Sequence, residues 1–390
     1  MTSQPAAGRL SDRVRLGIAG LGAVAQAVHL PLIERLRDAY SIDAIADLSP
    51  SLTAAIGERY RVASERRFGT VEELVAAGGL DAVAILTSGS HATAVETVLA
   101  SGLPVFAEKP LAYTLAEMDG IEARLTRADG SAPHLMLGYM KLYDPAVIHA
   151  RSLAADRGFG TPRAIEVTVL HPTGESQLEF AHLLPPPDDI PAGLRSTFGE
   201  LTQRLQRDAL GEPAGAAFGR LYTDILLGSV VHELALVRAF AGDPTGIDGQ
   251  WVWPDGAWPP SLEMTGTLPA DGRVSIRWHY LPDYAAYREL VRVVYESVTV
   301  ELEFPSPYLL HRPTILRVTA PLADGRNDDV WTSIDEAFET ELVAFHAMVT
   351  DGQPPAAGAK EGRADIVTCQ RAIAALARSR GVEIGGEAAG

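Results

Sequence analysis

Hydrophobic positions in the first third of the chain alternate between short continuous runs and longer stretches with helical spacing. The runs RVRLGIAG, SIDAIADLS, DAVAILTS, PVFAE and HLMLGYM predict strands, and the stretches between them, from AVAQAVHLPLIERLRDA to TLAEMDGIEARLTRA, predict helices. Strands that alternate with helices form right-handed βαβ units, and uninterrupted apolar strands are typical of a sheet covered on both faces. Residues 13–138 are therefore predicted to form an α/β domain with a doubly wound parallel sheet.

After Met140 the pattern changes, and apolar and polar residues begin to alternate. RAIEVTVLH, SLEMTGTLP, RVSIRWHYL, ELVRVVYES, VTVELEFPS and TILRVTA predict strands, most of them joined by short turns, as in an antiparallel sheet. AGLRSTFGELTQRLQRDAL, DILLGSVVHELALVRAFAG and WTSIDEAFETELVAFHAMVTDG predict helices. We predict an α+β domain with a mostly antiparallel open sheet over 139–350, with an insertion near 171–222, and then a C-terminal loop and helix, 351–390. Residues 1–12 are expected to be a flexible N-terminus.

Composition restricts the class of protein. A chain of 390 residues is too long for one ordinary core, and 47% hydrophobic with 21% charged residues is typical of a soluble globular protein. The net charge of −17 argues against nucleic acid or an anionic membrane as a partner. No apolar run reaches the roughly 18–20 residues of a membrane span. The single cysteine, Cys369, excludes an internal disulfide and a multi-cysteine metal site. We expect a cytoplasmic protein with a small-molecule substrate and no metal.

A glycine-rich loop follows the first predicted strand and opens the first predicted helix. GIAGLGAVAQ places Gly20, Gly22 and Ala25 in the pattern G-x-G-x-x-[G/A]. The first glycine permits a tight turn, the second lets the backbone approach a pyrophosphate, and the small third residue lets the helix pack closely on the strand. The motif predicts a dinucleotide site; a glycine-rich turn without a ligand is the alternative.

Asp47 ends the second predicted strand, where a carboxylate accepts hydrogen bonds from an adenosine ribose diol. The same charge repels the 2′-phosphate of NADP, and the next residues, Leu-Ser-Pro, include no arginine. The position favours NAD(H) as the cofactor and leaves NADP(H) open. The alternative is that Asp47 only caps the next helix.

Lysine is scarce in this chain, which makes Lys109 conspicuous. Of 33 lysine and arginine residues only Lys109, Lys141 and Lys360 are lysines. PVFAEKPLA places Lys109 at the carboxyl end of a parallel strand, the edge where doubly wound sheets bind ligands. A buried lysine can lose and regain a proton, whereas arginine stays charged. Position 109 therefore predicts proton transfer; a solvated surface lysine is the alternative.

Five segments in this order and spacing resemble one known family. GIAGLGAVAQ, AIAD, AILTSGSHA, FAEKPLA and GYMKLYDPA are similar to the glucose–fructose oxidoreductase / inositol dehydrogenase (Gfo/Idh/MocA) family, closely over the first 146 residues and loosely near the C-terminus. The resemblance implies a Rossmann domain that binds NAD(P), hydride transfer to or from a small polar substrate such as a sugar or cyclitol, and a homodimer or homotetramer formed through the C-terminal sheet.

The resemblance also implies roles for individual residues. Gly20, Gly22, Ala23 and Val24 would hold the pyrophosphate, Asp47 the adenosine ribose, Thr87, Ser88 and His91 the nicotinamide side, Glu108 the nicotinamide ribose, and Lys109 the space between nicotinamide and substrate. The segment TSGSHA is one residue shorter than the usual family run.

His232 is the second candidate catalytic residue implied by the family. Sugar-oxidising members carry D-x-x-x-H-x-x-D on a helix, whereas GSVVHELA has Gly228 and Ala235 at the aspartate positions. Glu233 is expected to point elsewhere, and Asp224, one turn back, is expected to substitute in part for the missing carboxylate. The alternative for His232 is a buried core histidine.

The substrate side is predicted to include the domain junction and the insertion. The candidate substrate residues are Tyr139, Lys141, Asp144 and His171, with Glu175, Asp188 and Asp189 as further polar groups in the insertion. The insertion is expected to form a lid, a binding loop or an oligomer contact. The main hypothesis is an NAD(H)-dependent oxidoreductase. A non-catalytic NAD-binding regulator or scaffold, and a redox-neutral NAD-dependent glycosidase, remain as alternatives.

Overall fold

The computed structural model describes residues 13–125, 134–310 and 312–390. The predicted N-terminal segment, 1–12, and the last three residues of the predicted helix at 114–128 lie outside the described residues. Within the described ranges, no helix combines the length and the apolar character needed to cross a membrane.

Residues 14–138, about the first third of the chain, form a six-stranded parallel sheet. Its order is β3-β2-β1-β4-β5-β6, which confirms the predicted doubly wound arrangement. The order reverses between β1 and β4, and such sheets bind ligands at the carboxyl ends of the strands on either side of this reversal. The strands are β1 (Val14–Ala19), β2 (Tyr40–Ala46), β3 (Arg67–Phe68), β4 (Ala82–Ile85), β5 (Val105–Glu108) and β6 (Leu135–Gly138).

Helices connect these strands, and the first of them begins irregularly. A π-helical turn, Ala25–His29, follows the glycine loop and runs directly into α1. The helices are α1 (Leu30–Arg35), α2 (Pro50–Arg59), α3 (Val71–Ala76), α4 (Ala92–Ala100) and α5 (Leu115–Leu125).

The second half builds an eight-stranded sheet in the order β14-β13-β12-β11-β7-β10-β9-β8. Every neighbouring pair is antiparallel except β7 and β10, which confirms a mostly antiparallel sheet. The strands are β7 (Ala164–His171), β8 (Gly246–Trp253), β9 (Ser261–Thr267), β10 (Arg273–Tyr280), β11 (Arg288–Val294), β12 (Thr299–Phe304), β13 (Ile315–Leu322) and β14 (Gly325–Trp331).

A long helical segment links the insertion to the second sheet. From Glu212 to Ala241 the chain is helical throughout, but its middle third, Leu221–Val230, is a π-helix. π-helical segments are rare and often lie at functional sites. The helices of this half are α6 (Pro145–Asp156), α7 (Gly174–Leu178), α8 (Ala192–Leu210), α9 (Glu212–Arg220), α10 (Val231–Ala241), α11 (Ala337–Asp351) and α12 (Ala359–Arg380).

Two strands of the second sheet were absent from the sequence prediction. β8 and β14 are its two edge strands, so each has a hydrogen-bonded neighbour on one side only. The helix predicted from 331 begins instead at Ala337, because Trp331 belongs to β14. α12 packs against β8 and also against α5 and β6, so it joins the two sheets.

Gly20 is required where the loops after β1 and β4 meet. Its φ is +93°, and a Cβ atom there would lie 2.5 Å from the backbone C of Leu86 and N of Thr87. We expect Gly20→Ala to lower the free energy of unfolding by at least about 1–2 kcal/mol, the cost of a left-handed non-glycine residue, with the overlap adding to it. Urea denaturation measures this change.

Gly22→Ala is the matched control for this substitution. A Cβ atom at Gly22 would meet nothing within 4 Å. This variant should unfold at the wild-type urea concentration. If Gly20→Ala unfolded at the same urea concentration as the wild type, the close contact between the two loops at Gly20 would not contribute to stability.

Candidate active site

The loop after β1 offers an exposed stretch of backbone beside the sheet edge. Gly22 and Ala23 are exposed, and the space around Gly22 is open, whereas Ala25 is fully buried against the sheet. Open space backed by main-chain N–H groups is what a pyrophosphate needs, so the residues present fit a dinucleotide.

Asp47 joins the loop after β1 to the end of β2. Its Oδ2 accepts a hydrogen bond from the Leu21 N–H at 2.8 Å, and its Oδ1 accepts one from the Ser49 N–H at 2.9 Å. The N-cap of α2 is Ser49, whose hydroxyl accepts from Leu52, so Asp47 is not the helix cap. The carboxylate is therefore held beside the glycine loop, and its remaining lone pairs can accept from further donors.

Glu108 ends β5 and is paired with a histidine that sequence reasoning missed. Its Oε1 lies 2.8 Å from Nε2 of His29, a buried residue of the π-helical turn. Burial opposes the charge of Glu108, but the hydrogen bond and charge of His29, with Lys109 nearby, outweigh it and lower the pKa of Glu108. The pair keeps an ionised carboxylate at the carboxyl edge of the sheet.

Lys109 leaves that edge and reaches the π-helix. Its Nζ donates to the backbone carbonyl of Gly228 at 2.5 Å. Burial lowers the pKa of Lys109, while the carboxylates of Glu108 and Glu233 oppose the shift and Lys141 adds to it. A lysine with a lowered pKa exchanges protons more readily near neutral pH.

His232 lies in the same region but lacks a carboxylate partner. Its Nδ1 is buried and has no hydrogen-bond partner among the described residues. Burial, with the charges of Lys109 and Lys141, lowers its pKa well below 6.5, so the ring is neutral at neutral pH. Asp224, expected to replace the missing carboxylate, lines the same cavity but is not hydrogen-bonded to His232: its Oδ2 accepts from Arg220 Nε at 3.1 Å and its Oδ1 from the Thr223 hydroxyl at 2.9 Å.

Lys141 is buried between two glutamates. Its Nζ lies 3.0 Å from Glu233 Oε1 and 2.5 Å from Glu289 Oε2, and the Tyr287 hydroxyl donates to the same Glu289 oxygen at 2.7 Å. Burial disfavours its charge, but the two glutamates outweigh that effect and raise the pKa of Lys141.

Burial raises the pKa of Glu233 to about 7, with the charge of Lys141 opposing and that of Glu289 supporting the shift. Glu233 therefore holds or releases a proton near neutral pH.

These groups surround a cavity of about 370 Å³. Its wall combines ionisable groups with several aromatic rings. Trp278 and Tyr280 are nearly parallel, at 12°, with ring centroids 6.3 Å apart. The lining includes Lys109, Lys141, His171, Gln177, Asp224, Gly228, His232, Glu233, Trp258, Trp278, Tyr280, Tyr287 and Tyr308. A cavity of this size and chemistry suits a small polar molecule with apolar faces.

His171, a predicted substrate residue, is part of this wall. It ends β7, its Nδ1 lies 2.6 Å from the Pro172 carbonyl oxygen, and its ring centroid lies 4.9 Å from that of Trp278. Burial lowers the pKa of His171, so it presents a neutral ring.

His91, expected on the nicotinamide side, is a structural residue instead. It is 1% exposed, and its Nε2 and Nδ1 each lie 2.7 Å from a backbone carbonyl oxygen, that of Thr87 and that of Pro110. Each ring nitrogen faces a carbonyl oxygen of the protein, so neither is open to a cofactor. The ring fixes the loops after β4 and β5 relative to each other, and in the loop after β4 Thr87 is partly exposed and Ser88 is exposed.

Tyr139 and Asp144 do not line the cavity as expected. The Tyr139 hydroxyl donates to Asp365 of α12, and its ring packs edge-on against His232 with centroids 5.8 Å apart. Asp144 accepts from the Ala146 N–H at the start of α6 and from the Thr314 hydroxyl, and it lines a neighbouring cavity of about 300 Å³. The polar side-chain atoms of both residues are hydrogen-bonded within the protein, so both residues hold neighbouring elements in place and do not face a substrate.

Glu289 could have been found from the sequence, but Glu233 could not. In ELVRVVYES, Glu289 falls on the same face as the buried Val291 and Val293, so a buried polar residue was readable from the alternation. Glu233 was expected to point elsewhere, yet it lines the same cavity as His232 and pairs there with Lys141.

Comparisons with known proteins agree with this architecture. Residues 14–131 match the family model GFO_IDH_MocA, described as an oxidoreductase family with an NAD-binding Rossmann fold. The chain is 29% identical over 148 residues to inositol 2-dehydrogenase of Corynebacterium glutamicum, a match that covers 37% of this chain and 42% of that protein. The chain spans about half the length of the curated relatives it matches.

Solved structures extend the likeness to both halves of the chain. UDP-N-acetylglucosamine 3-dehydrogenase from Acidithiobacillus ferrooxidans has a TM-score of 0.67 at 18% identity, covering 93% of this chain and 98% of that one. An oxidoreductase from Agrobacterium radiobacter, in complex with NAD+, L-tartaric acid and magnesium, has a TM-score of 0.69 at 16% identity, covering 96% and 99%. At these identities the likeness shows the fold.

Proposed function

The chain belongs to the Gfo/Idh/MocA family of oxidoreductases, and on that premise we propose that it transfers a hydride between NAD(H) and a carbon atom of an uncharged sugar or cyclitol. The observation that carries the proposal is the position of Lys109. It leaves the carboxyl edge of the parallel sheet and enters the cavity that also holds His232 and Glu233. The similarity to inositol 2-dehydrogenase supports this substrate class.

Residues at the carboxyl edge of the parallel sheet would divide the cofactor between them. The backbone around Gly20, Gly22, Ala23 and Val24 would hold the pyrophosphate, Asp47 the adenosine ribose, and Glu108 with Thr87 the nicotinamide half. When bound, nicotinamide supplies the hydride chemistry. The charge of Asp47, with no arginine at 48–50, supports NAD(H) over NADP(H).

Lys109 would handle the proton that accompanies the hydride. In alcohol oxidation its neutral amine accepts the hydroxyl proton as the carbonyl forms, and in reduction its ammonium returns that proton. Arginine could not alternate in this way. His232, neutral at neutral pH, would help to orient the reacting hydroxyl, and it is a weaker base than a carboxylate-paired histidine.

The cavity wall supports an uncharged polyol as substrate. The aromatic side chains offer apolar faces to the C–H groups of a ring, while carboxylate and ammonium groups bond its hydroxyls. Lys109 and Lys141 are balanced by Glu233 and Glu289, and no arginine is found among the lining residues that the structure describes. An anionic substrate would need an additional cation there.

We also propose that the polar face of the second sheet mediates self-association. Arg292 on this face pairs with Glu301 at 2.7 Å and Glu166 at 3.3 Å, and Arg288 pairs with Glu303 at 2.9 Å. Rows of paired charges of both signs are complementary to a second copy of themselves.

We expect sedimentation equilibrium to show that the wild-type protein is a dimer or tetramer. Arg292→Glu should shift the equilibrium towards monomer. A monomeric wild-type protein would contradict the proposal.

Replacement of Lys109 tests the catalytic role. We expect Lys109→Ala and Lys109→Arg each to reduce turnover of cyclitols or aldoses by about 10²–10⁴-fold, because both remove the titrating amine. NADH affinity should change by no more than about threefold, because backbone groups hold most of the cofactor. Turnover is followed by NADH absorbance and affinity by NADH fluorescence.

Lys360→Arg is the matched control, because Lys360 lies at the start of α12, outside the cavity. It should have wild-type turnover. Wild-type turnover in Lys109→Arg would contradict the proposed role. Product formation without net NADH change would favour the glycosidase, and nucleotide binding without turnover on a broad panel would favour the regulator.

The pH dependence of oxidation tests which group accepts the proton. Oxidation needs the neutral amine, so kcat/KM should rise with pH and level off below 10.5, the ordinary pKa of lysine, because the pKa of Lys109 is lowered. The Glu233 carboxylate opposes that lowering, so Glu233→Gln should move the inflection to still lower pH. An inflection that stays in place, or moves up, would exclude Lys109 as the titrating base.

A further inference from the structure

The insertion near 171–222 returns to the parallel sheet instead of remaining beside the second one. Residues 182–191, which lie between the turn after α7 and the start of α8, are called the strap here. Leu183 and Leu184 are partly buried against the core, and the Leu184 N–H donates to Gln26 Oε1 at 2.9 Å. Gln26 Nε2 in turn donates to the Leu21 carbonyl oxygen at 2.9 Å, so one end of the strap is bonded to the glycine loop.

The other end of the strap is bonded to the residues that follow β2. Asp189 Oδ1 accepts a hydrogen bond from the Ser49 hydroxyl at 2.5 Å, and its Oδ2 accepts one from the Ser51 N–H at 2.7 Å. Three consecutive prolines, 185–187, stiffen the chain between the two anchors. The strap thus passes from the glycine loop to the first turn of α2.

The donors that Asp189 occupies are those that a 2′-phosphate would require. Asp47 lies two residues before Ser49 and is the group suited to the adenosine ribose, so a phosphate on the 2′-oxygen would extend towards the loop after β2. In this loop the Ser49 hydroxyl and the Ser51 N–H both point at a carboxylate supplied by the chain itself. A 2′-phosphate would find these donors in use and would meet the negative charges of both Asp47 and Asp189.

We propose that Asp189 is a specificity-determining residue, which takes the place of a 2′-phosphate and so selects NAD(H) against NADP(H). The same contact holds the strap beside Asp47, the group suited to the adenosine ribose, so cofactor release should be faster when the contact between Asp189 and Ser49 is broken. This inference rests on the proposed function in one respect, that the glycine loop binds a nicotinamide dinucleotide.

The two hydrogen bonds, that of Ser49 first, lower the pKa of Asp189, so it is an anion at neutral pH. Its neighbour Asp188 carries the same formal charge but has no hydrogen bond to Ser49 or Ser51 among the described residues. Asp188→Ala therefore changes the net charge as Asp189→Ala does, without breaking the contact. This makes it a matched control for long-range electrostatics.

The test measures dissociation constants for NADH and NADPH by fluorescence titration of the full chain, together with the NADH release rate by stopped flow. We expect the wild type to prefer NADH by at least about 100-fold, and Asp189→Ala to reduce that preference by about tenfold or more, mainly through tighter NADPH binding. Its NADH release should also become about tenfold faster. Asp188→Ala should leave both quantities within about twofold of wild type.

Three outcomes would overturn the assignment: an unchanged preference in Asp189→Ala, equal effects of the two alanine variants, or equal wild-type affinity for both nucleotides. Asp189→Asn preserves the shape of the side chain and removes its charge, and it should reproduce the gain in NADPH binding if the alanine protein is unstable. A wild-type protein that binds neither nucleotide would refute the proposed function itself, which separates the two failures.

Discussion

Two lysines line one cavity, and the division of carboxylates between them controls the chemistry that each can perform. An ammonium group removed from water needs a compensating negative charge or it tends to lose its proton. Lys141 has Glu233 and Glu289 in direct contact and a raised pKa, whereas Lys109 has a peptide carbonyl in contact and a lowered pKa. Lys141 thus remains a fixed cation that organises the wall, and Lys109 is the lysine able to titrate.

Most of the fold could be predicted because its strands carry strong hydrophobic patterns. Four strands of the parallel sheet, β1, β4, β5 and β6, are almost entirely buried, and the central strands of the second sheet alternate clearly, as Val167 and Val169 do. The strands that were missed, the two-residue β3 (Arg67–Phe68), GIDGQWVW and GRNDDVW, all lie at sheet edges. An edge strand needs little apolar surface and tolerates glycine and charge, so its sequence does not differ from that of a loop.

The site was predictable where chemistry follows a strand and unpredictable where distant segments meet. Gly20, Asp47 and Lys109 each come directly after a parallel strand, so the topology brings them to one edge. Contacts such as His29 with Glu108, or Asp189 with Ser49, join segments that only the folded chain brings together. The π-helix also limited what the sequence could predict about the site. Positions 224, 228 and 232 were assumed to share one face of an α-helix, but the hydrogen bonds of a π-helix span five residues, so its side chains follow a different spacing.

The hydrogen bond from Lys109 to the Gly228 carbonyl has a consequence for which substitutions this protein tolerates during evolution. An acceptor that belongs to the peptide backbone is encoded by no particular codon, so a point mutation at position 228 leaves the oxygen itself in the chain. A side-chain acceptor, such as the Glu233 carboxylate that binds Lys141, is lost in a single substitution. The contact of Lys109 therefore depends on the backbone path of the π-helix. Substitutions that change the surrounding side chains leave this contact in place as long as the helix keeps that path.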